Sequence, residues 1–256
     1  MAGTTSGYTG RHSRFWEIDL LRTIAIVGMV TFHTFELLYY FDLYPTLLRY
    51  GIWFWIRAVN AGIFIFLAGV ALTITYSRSK RISAFMLRGL KIFGWGMGIT
   101  LLTWIIAPDE YVRFGILHFF GIAFILAPFL LRFRYINLIL GAAVMALGIY
   151  MLEQRVFVDF PWLLWLMPYR FSTFEYWPLV PYFGLFLVGM FFGKILYPQG
   201  NRGFNIPEFS NPAVSALTLP GRHPLVIYLA QWPAIIVVLL VLFPANVLPY
   251  FPPFPF

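Results

Sequence analysis

The first long apolar stretch of the chain carries polar side chains at helical spacing. At 100° per residue, one face of a helix collects Arg22, Met29, His33, Glu36 and Tyr40. Imidazole has an unperturbed pKa of about 6.5, so His33 can accept a proton from an attacking amine or hydroxyl near neutral pH. Glu36, one turn further along, can orient the imidazole and stabilise its charged form. This polar face predicts acid–base chemistry by His33 and Glu36.

A second histidine, His118, lies in another apolar stretch, close after Arg113. With a rise of about 1.5 Å per residue, His33 is about 10 Å inside Tyr40 and His118 about 7–8 Å from Arg113, so the imidazoles can meet at similar depth. An interhelical hydrogen bond is the structural alternative for each. Metal ligation by His33, Glu36 and His118 has suitable ligand types but no diagnostic spacing, so no metal is predicted.

The motifs of several soluble enzyme classes are absent from the sequence. The chain has no cysteine, which excludes disulfides, thiolate metal sites and cysteine nucleophiles. No GxSxG, HExxH or GxxxxGK[ST] motif occurs, which removes the usual serine hydrolases, zinc proteases and nucleotide hydrolases. General-base acyl transfer remains attractive for a buried histidine with a carboxylate.

Clustered cations offer sites for phosphate groups. Residues 77–91, SRSKRISAFMLRGLK, include Arg81 among five cations, and PGRHPLVIYL sets Arg222 and His223 just before Pro224, the expected first turn of the last helix. A helix N-terminus beside an arginine is a favourable anion site, suited to a coenzyme phosphate. Anionic lipid headgroups are the alternative partners of both segments.

The composition indicates that these groups lie on membrane helices. Of the 256 residues, 61% are hydrophobic and 11% charged, whereas soluble domains have about 25% charged residues. A helix needs about 20 apolar residues to cross a ~30 Å hydrocarbon core. Seven stretches qualify or nearly qualify: 20–40, 59–76, 90–107, 114–131, 136–152, 179–197 and 224–243. The sequence predicts an all-α, polytopic transmembrane helix bundle of about seven spans, forming a single domain over residues 1–256.

The basic residues predict the orientation of this bundle. With a cytoplasmic N-terminus, thirteen of the 18 lysines and arginines fall inside and five outside, as the positive-inside rule requires. The net charge of +8 therefore reflects orientation, and no nucleic-acid partner is predicted. Residues 1–19 form a polar cytoplasmic N-terminus without a cleaved signal peptide, and residues 244–256 an irregular outer tail.

Aromatic side chains are concentrated in the longest predicted outer segment. It runs from Glu153 to Trp177 and carries Trp162, Trp165, Tyr169, Tyr176 and Trp177. Such residues form an interfacial belt in many membrane proteins, and they also stack on sugar rings. Both interpretations stay open at the level of the sequence.

Five pieces of the chain resemble the heparan-alpha-glucosaminide N-acetyltransferase catalytic-domain family of membrane acyltransferases. They are RFWEIDLLRTIAIVGMVTFH, IFIFLAGVALTITYSR, VRFGILHFFGIAFILAP, PLVPYFGLFLVGMFFGKILYP and GRHPLVIYLAQWP. The resemblance implies a multispan enzyme that passes acetyl from cytosolic acetyl-CoA to an amino sugar on the opposite side. It implies catalytic or acceptor-positioning roles for His33 and His118, and coenzyme binding by Arg22 and Arg222. Gln231 and Trp232 depart from the family pattern, in which many relatives have a histidine.

Together these observations predict a multi-pass acyltransferase of the cell membrane. The catalytic residues are His33, His118 and Glu36, and the groups that hold acetyl-CoA, the acyl donor, are Arg22, Arg222, His223 and Arg81. The other expected partners are the lipid bilayer and a saccharide acceptor, and a homo-oligomer is left open. The alternative is a proton-coupled transporter or flippase in which His33, Glu36 and Arg113 relay protons through the membrane.

Overall fold

The computed structural model describes residues 14–45, 51–157, 160–167, 171–209 and 211–250. Residues 1–13 of the predicted N-terminal segment, Tyr169 of the aromatic segment and residues 251–256 of the predicted tail lie outside these ranges. Arg11, Arg49 and Arg170, three of the 18 basic residues from which the orientation is predicted, also lie outside them. Within the described ranges every regular element is a helix, which confirms the all-α prediction.

Nine α-helices follow one another along the described chain. They are α1 (Trp16–Tyr40), α2 (Gly51–Ser79), α3 (Ile82–Ile106), α4 (Ile116–Leu130), α5 (Tyr135–Glu153), α6 (Leu179–Leu196), α7 (Pro212–Arg222), α8 (Pro224–Leu242) and α9 (Pro244–Val247). Single 3₁₀ turns occur at Pro161–Leu163, Pro198–Gly200 and Leu248–Tyr250. The seven predicted spans correspond to α1–α6 and α8, but α2 and α3 each begin eight residues earlier than predicted.

Six of the helices are long and apolar enough to cross a membrane, and they are α1, α2, α3, α5, α6 and α8. The chain is therefore a multi-pass membrane protein. Helix α4 is apolar but has only 15 residues, so it is about 22 Å long against a hydrocarbon core of about 30 Å.

The chain divides into two compact units, one containing residues up to 60 and from 207, the other residues 61–206. In the first unit, α1 and α8 run parallel, because their contacts occur in the same order along both helices. Trp232 of α8 lies beside His33, and Leu239, further along α8, packs in one apolar cluster with Leu37. The Thr23 hydroxyl accepts a hydrogen bond from the Gly221 N–H of α7 at 3.0 Å. Beyond the C-terminal ends of α1 and α8, Tyr250 donates a 2.6 Å hydrogen bond to Asp42, which raises the pKa of Tyr250.

Helix α2 begins in the first unit and packs antiparallel to α1. The Phe35 and Trp53 rings are 4.5 Å apart near the C-terminal end of α1. Closer to the middle of α1, the Asn60 side chain lies against Gly28. A Cβ on Gly28 would overlap the Asn60 amide, so the glycine allows this approach. The first unit is therefore built around α1.

The second unit packs its helices through glycines. Gly89 of α3 lies against Gly121 of α4, and Gly141 of α5 against Gly184 of α6. At each of these pairs an added Cβ would come within 2.7 Å or less of a facing backbone oxygen. Small residues let membrane helices approach closely, because lipid provides no hydrophobic force to bring helices together.

Candidate functional site

The polar face of α1 points away from the exposed face of the helix. Arg22, His33 and Glu36 are half-buried, whereas Ile24 and Val27 on the opposite side are 53% and 58% exposed. Exposed apolar side chains suit lipid, and charged ones in a membrane turn toward protein or a polar cavity. The structure therefore supports the prediction that the ionisable side of the first span faces inward.

His33 lies in an aromatic environment in the first unit. Its ring centroid is 5.8 Å from that of Phe32 on the same helix and 5.7 Å from that of Trp232 on α8. Its Nδ1 atom is buried and has no hydrogen-bond partner among the described residues, so Glu36 does not hold this nitrogen. Glu36 shares the helix face with His33, as predicted from the spacing.

Gln231 is a polar neighbour of His33 whose position sequence reasoning missed. It lies on α8, is only 5% exposed, and faces the His33 ring without reaching hydrogen-bond geometry. Both its Oε1 and its Nε2 are buried, with no hydrogen-bond partner in the described parts of the chain. The sequence marks Gln231 only as one polar residue in an apolar helix, where a membrane-facing or a buried side chain is equally compatible with the pattern.

A cluster of charges lies at the N-terminal end of α1, which the sequence predicts to be the inner end. Asp19 is 5% exposed; its carboxylate accepts a 3.2 Å hydrogen bond from Arg22 and lies 3.8 Å from Nε of Arg222. Arg222 also donates a 2.8 Å hydrogen bond to the buried Thr218 hydroxyl. Two guanidinium groups thus lie at one carboxylate. The structure brings together the two arginines that the sequence proposed for coenzyme binding.

The backbone explains why this cluster forms. Helix α7 begins at an Asn211 cap, whose side chain accepts from the Val214 N–H at 2.8 Å, and Pro212 occupies the first turn. Near its C-terminal end α7 touches α1 at Gly221, where any Cβ would overlap the Asp19 carbonyl oxygen. This close approach brings the next residue, Arg222, to the Asp19 carboxylate. Pro224 then starts α8, and His223 before it is exposed.

His118 belongs to the second unit, and both of its ring nitrogens have partners there. Nδ1 accepts a 3.1 Å hydrogen bond from the Gly115 N–H, and Nε2 lies 3.2 Å from the Thr100 hydroxyl. That hydroxyl in turn donates a 2.6 Å hydrogen bond to the Val112 carbonyl. An Nδ1 acceptor requires the proton on Nε2, so the ring is neutral in this arrangement. The imidazole, 1% exposed, thus caps the start of α4 and joins it to α3.

The remaining predicted binding group, Arg81, is exposed and precedes the first residue of α3 in the second unit. Arg113, proposed for a proton relay, lies between the rings of Tyr111 and Phe171, with its guanidinium carbon 4.9 Å and 4.8 Å from their centroids. Such cation–π contacts hold a guanidinium in place. Among the described residues no group of three or more histidine, aspartate or glutamate side chains could hold a metal ion.

The aromatic outer segment is partly ordered by its own contacts. The rings of Phe160 and Trp162 stack with centroids 5.5 Å apart, and Trp162 is 71% exposed. The Tyr176 hydroxyl lies 2.6 Å from the Leu164 carbonyl and so donates within the segment. These contacts are compatible with both an interfacial belt and a sugar platform.

A protein-family model matches most of the chain. The family described as "Heparan-alpha-glucosaminide N-acetyltransferase, catalytic" matches residues 14–233 of the chain. The matched range contains α1–α7 and most of α8, and with them every site residue named above. No curated protein and no solved structure matches the chain significantly.

Proposed function

Because the chain belongs to the heparan-alpha-glucosaminide N-acetyltransferase catalytic family, we propose that it moves an acetyl group from cytosolic acetyl-CoA to an amino sugar at the outer side of the cell membrane. The observation that carries this proposal is the inward polar face of α1. It connects a charge cluster at Arg22 and Arg222 with a buried imidazole nitrogen of His33 that has no partner among the described residues.

His33 is the general base of the proposed reaction. It takes a proton from the acceptor amine as the nitrogen attacks the thioester carbonyl carbon. The new C–N bond forms, the C–S bond breaks, and the proton returns from His33 to the leaving thiolate. Glu36, on the same helix face, stabilises the imidazolium that exists between the two proton transfers. His118, held by the Gly115 N–H and Thr100, positions the start of α4 instead of reacting.

The inner end of α1 is suited to the phosphates of coenzyme A. Arg22 and Arg222 both lie at the Asp19 carboxylate, so two cations are held at this end of the helix. The Arg222 Nε has no hydrogen bond to any described residue, which leaves a donor for an incoming phosphate oxygen. His223, which is exposed and adjacent to Arg222 in the same unit, adds a further proposed phosphate contact. Arg81, an exposed cation of the second unit, stays a predicted coenzyme contact.

The parallel course of α1 and α8 supports seven spans. Two parallel membrane helices are separated by an odd number of crossings, and α2–α6 provide five only if the short α4 is one of them. Six spans would make α8 antiparallel to α1, against the order of their contacts. Together with the positive-inside bias, this supports a cytosolic charge cluster and an outer location for the C-terminal side of α8.

Acetyl transfer across right-side-out membrane vesicles tests the function and its direction together. Vesicles with acetyl-CoA sealed inside and glucosamine outside are expected to release N-acetylglucosamine into the outer medium. Vesicles that meet both compounds only on the outside are expected to make none, because the coenzyme site faces inward. Product formed equally in both arrangements would contradict the proposed sidedness, and no product in detergent or vesicles would contradict the acetyltransferase.

Binding of acetyl-CoA separates the enzyme from the proton-coupled transporter, which has no need of the coenzyme. Calorimetric titration of the purified protein should show binding, and Arg222→Ala should weaken it about 10–100-fold, since a hydrogen bond to a charged group contributes about 1.5–3 kcal/mol. Arg132→Ala, which removes an exposed cation, is the control and should bind as the wild type does. Absence of binding, with solute flux driven by a pH gradient, would favour the transporter.

A further inference from the structure

The Gln231 side chain is the least satisfied polar group in the first unit. Its two amide atoms are buried, and neither has a hydrogen-bond partner among the described residues. Buried amides are almost always paired, because burial removes their bonds to water. An amide that is 5% exposed and still unpaired therefore indicates a polar ligand that is bound during function.

The surroundings of Gln231 narrow the chemistry of this ligand. His33, the ring that Gln231 faces, also has a buried nitrogen, Nδ1, without a hydrogen-bond partner among the described residues. The Trp232 ring lies beside that imidazole, and the apolar cluster of Leu37 and Leu239 follows toward the outer end. The Gln231 amide offers a donor and an acceptor without a formal charge. These groups match a small, uncharged acyl group. Its carbonyl oxygen would accept a hydrogen bond, and a neighbouring nitrogen that carries hydrogen would donate one.

We propose that Gln231 binds the acetyl group during transfer, an inference that rests on the proposed function. Its Nε2 donates a hydrogen bond to the thioester carbonyl oxygen, and its Oε1 accepts one from the acceptor N–H. Negative charge develops on the carbonyl oxygen as the amine nitrogen attacks the carbonyl carbon, and the Nε2 donor stabilises this charge. The oxygen charge returns to the carbonyl when the C–S bond breaks, and His33 returns the amine proton to sulfur. Gln231 is thus a catalytic residue that exchanges no proton.

The amide acceptor also favours an amine over an alcohol as the acetyl acceptor. An amide product keeps an N–H that donates to Oε1 of Gln231, whereas an ester product has no hydrogen at that position. A site that binds such a hydrogen discriminates against the analogue lacking it, because its buried acceptor is then left unpaired. The amide oxygen of Gln231 thus agrees with the amine acceptor of the proposed function.

Gln231→Met tests this role, since methionine has the same length and shape but no strong hydrogen-bonding group. The turnover number is expected to fall about 10²–10³-fold, as for loss of one oxyanion donor, with a small change in the KM for acetyl-CoA. The melting temperature is expected to stay equal or rise, because an unpaired amide leaves the interior. Gln154→Met makes the same change at an exposed helix end and should leave both values unchanged.

A second readout is independent of turnover. N-acetylglucosamine, used as the product probe, should raise the melting temperature of the wild type and not that of Gln231→Met. A turnover number within threefold of wild type would overturn the proposal, and so would a variant that melts earlier while keeping its turnover. Gln231→Leu repeats the test if the methionine variant does not fold, and failure of both to fold would make the amide structural. Wild-type protein without acetyl transfer would instead remove the proposed function.

Discussion

Replacing His33 by alanine is expected to lower the turnover number for acetyl transfer about 10²–10⁴-fold, the usual contribution of a general base. Binding of acetyl-CoA should persist, because the charge cluster at Asp19 lies about 21 Å along the helix from His33. The measurement is a steady-state assay with acetyl-CoA and glucosamine, paired with calorimetric titration of the coenzyme. The expected result is thus a loss in turnover without a matching loss in affinity.

Thr31→Ala is the matched control for this experiment. Thr31 is an exposed residue of α1 on the side opposite the polar face, so its substitution should change neither turnover nor folding. His33→Ala with full activity would remove the catalytic assignment. Because His33 is half-buried between rings, the melting temperature of the variant should be recorded alongside, so that misfolding is separated from loss of the base.

Replacing His118 by alanine is expected to lower the free energy of unfolding by about 3 kcal/mol. Loss of a helix cap costs about 1 kcal/mol, and truncation of a large buried side chain about 2–5 kcal/mol. The Thr100 hydroxyl also loses its contact with Nε2. The measurement is thermal denaturation in detergent, followed by activity normalised to the folded fraction. This normalised activity should remain within about tenfold of wild type, because both ring nitrogens already have protein partners.

His118→Asn separates the structural role from a catalytic one. The asparagine Oδ1 can take the place of Nδ1 and accept from the Gly115 N–H, so most of the lost stability should return. An amide cannot serve as a general base at neutral pH. A stable His118→Asn protein with turnover reduced 10²-fold or more would therefore restore the catalytic role that the sequence predicts for His118.

The polar face of α1 could be predicted from the local sequence pattern alone. Periodicity alone put Arg22, His33 and Glu36 on one side, and the structure has that side inward, with Ile24 and Val27 exposed opposite. The prediction works because a charged side chain exposed to lipid is energetically costly. Charged residues are therefore on the face of the helix that packs against protein. The same logic missed the early starts of α2 and α3, because Arg57 and Arg88 interrupt the apolar run near the start of each helix.

His118 shows what the sequence pattern leaves open. From the sequence it is an ionisable group inside an apolar stretch, as His33 is, and a catalytic role is predicted for both. In the structure His118 is fully hydrogen-bonded to the turn before α4 and to α3, while Nδ1 of His33 has no partner among the described residues. The difference lies in the neighbours of each ring, and those neighbours come from other helices.

The amino-acid sequence by itself determined the class of this protein, the approximate positions of its apolar helices and the inward face of α1, and it predicts that most cations lie on the inner side. These properties are local, because hydropathy and helical period act within a few turns of chain. Only the tertiary structure decided that Arg222 meets Asp19 and that Gln231 faces His33. Thr23 and Gly221, which are 198 residues apart and joined by a hydrogen bond, show the reason: such pairs depend on how whole helices pack.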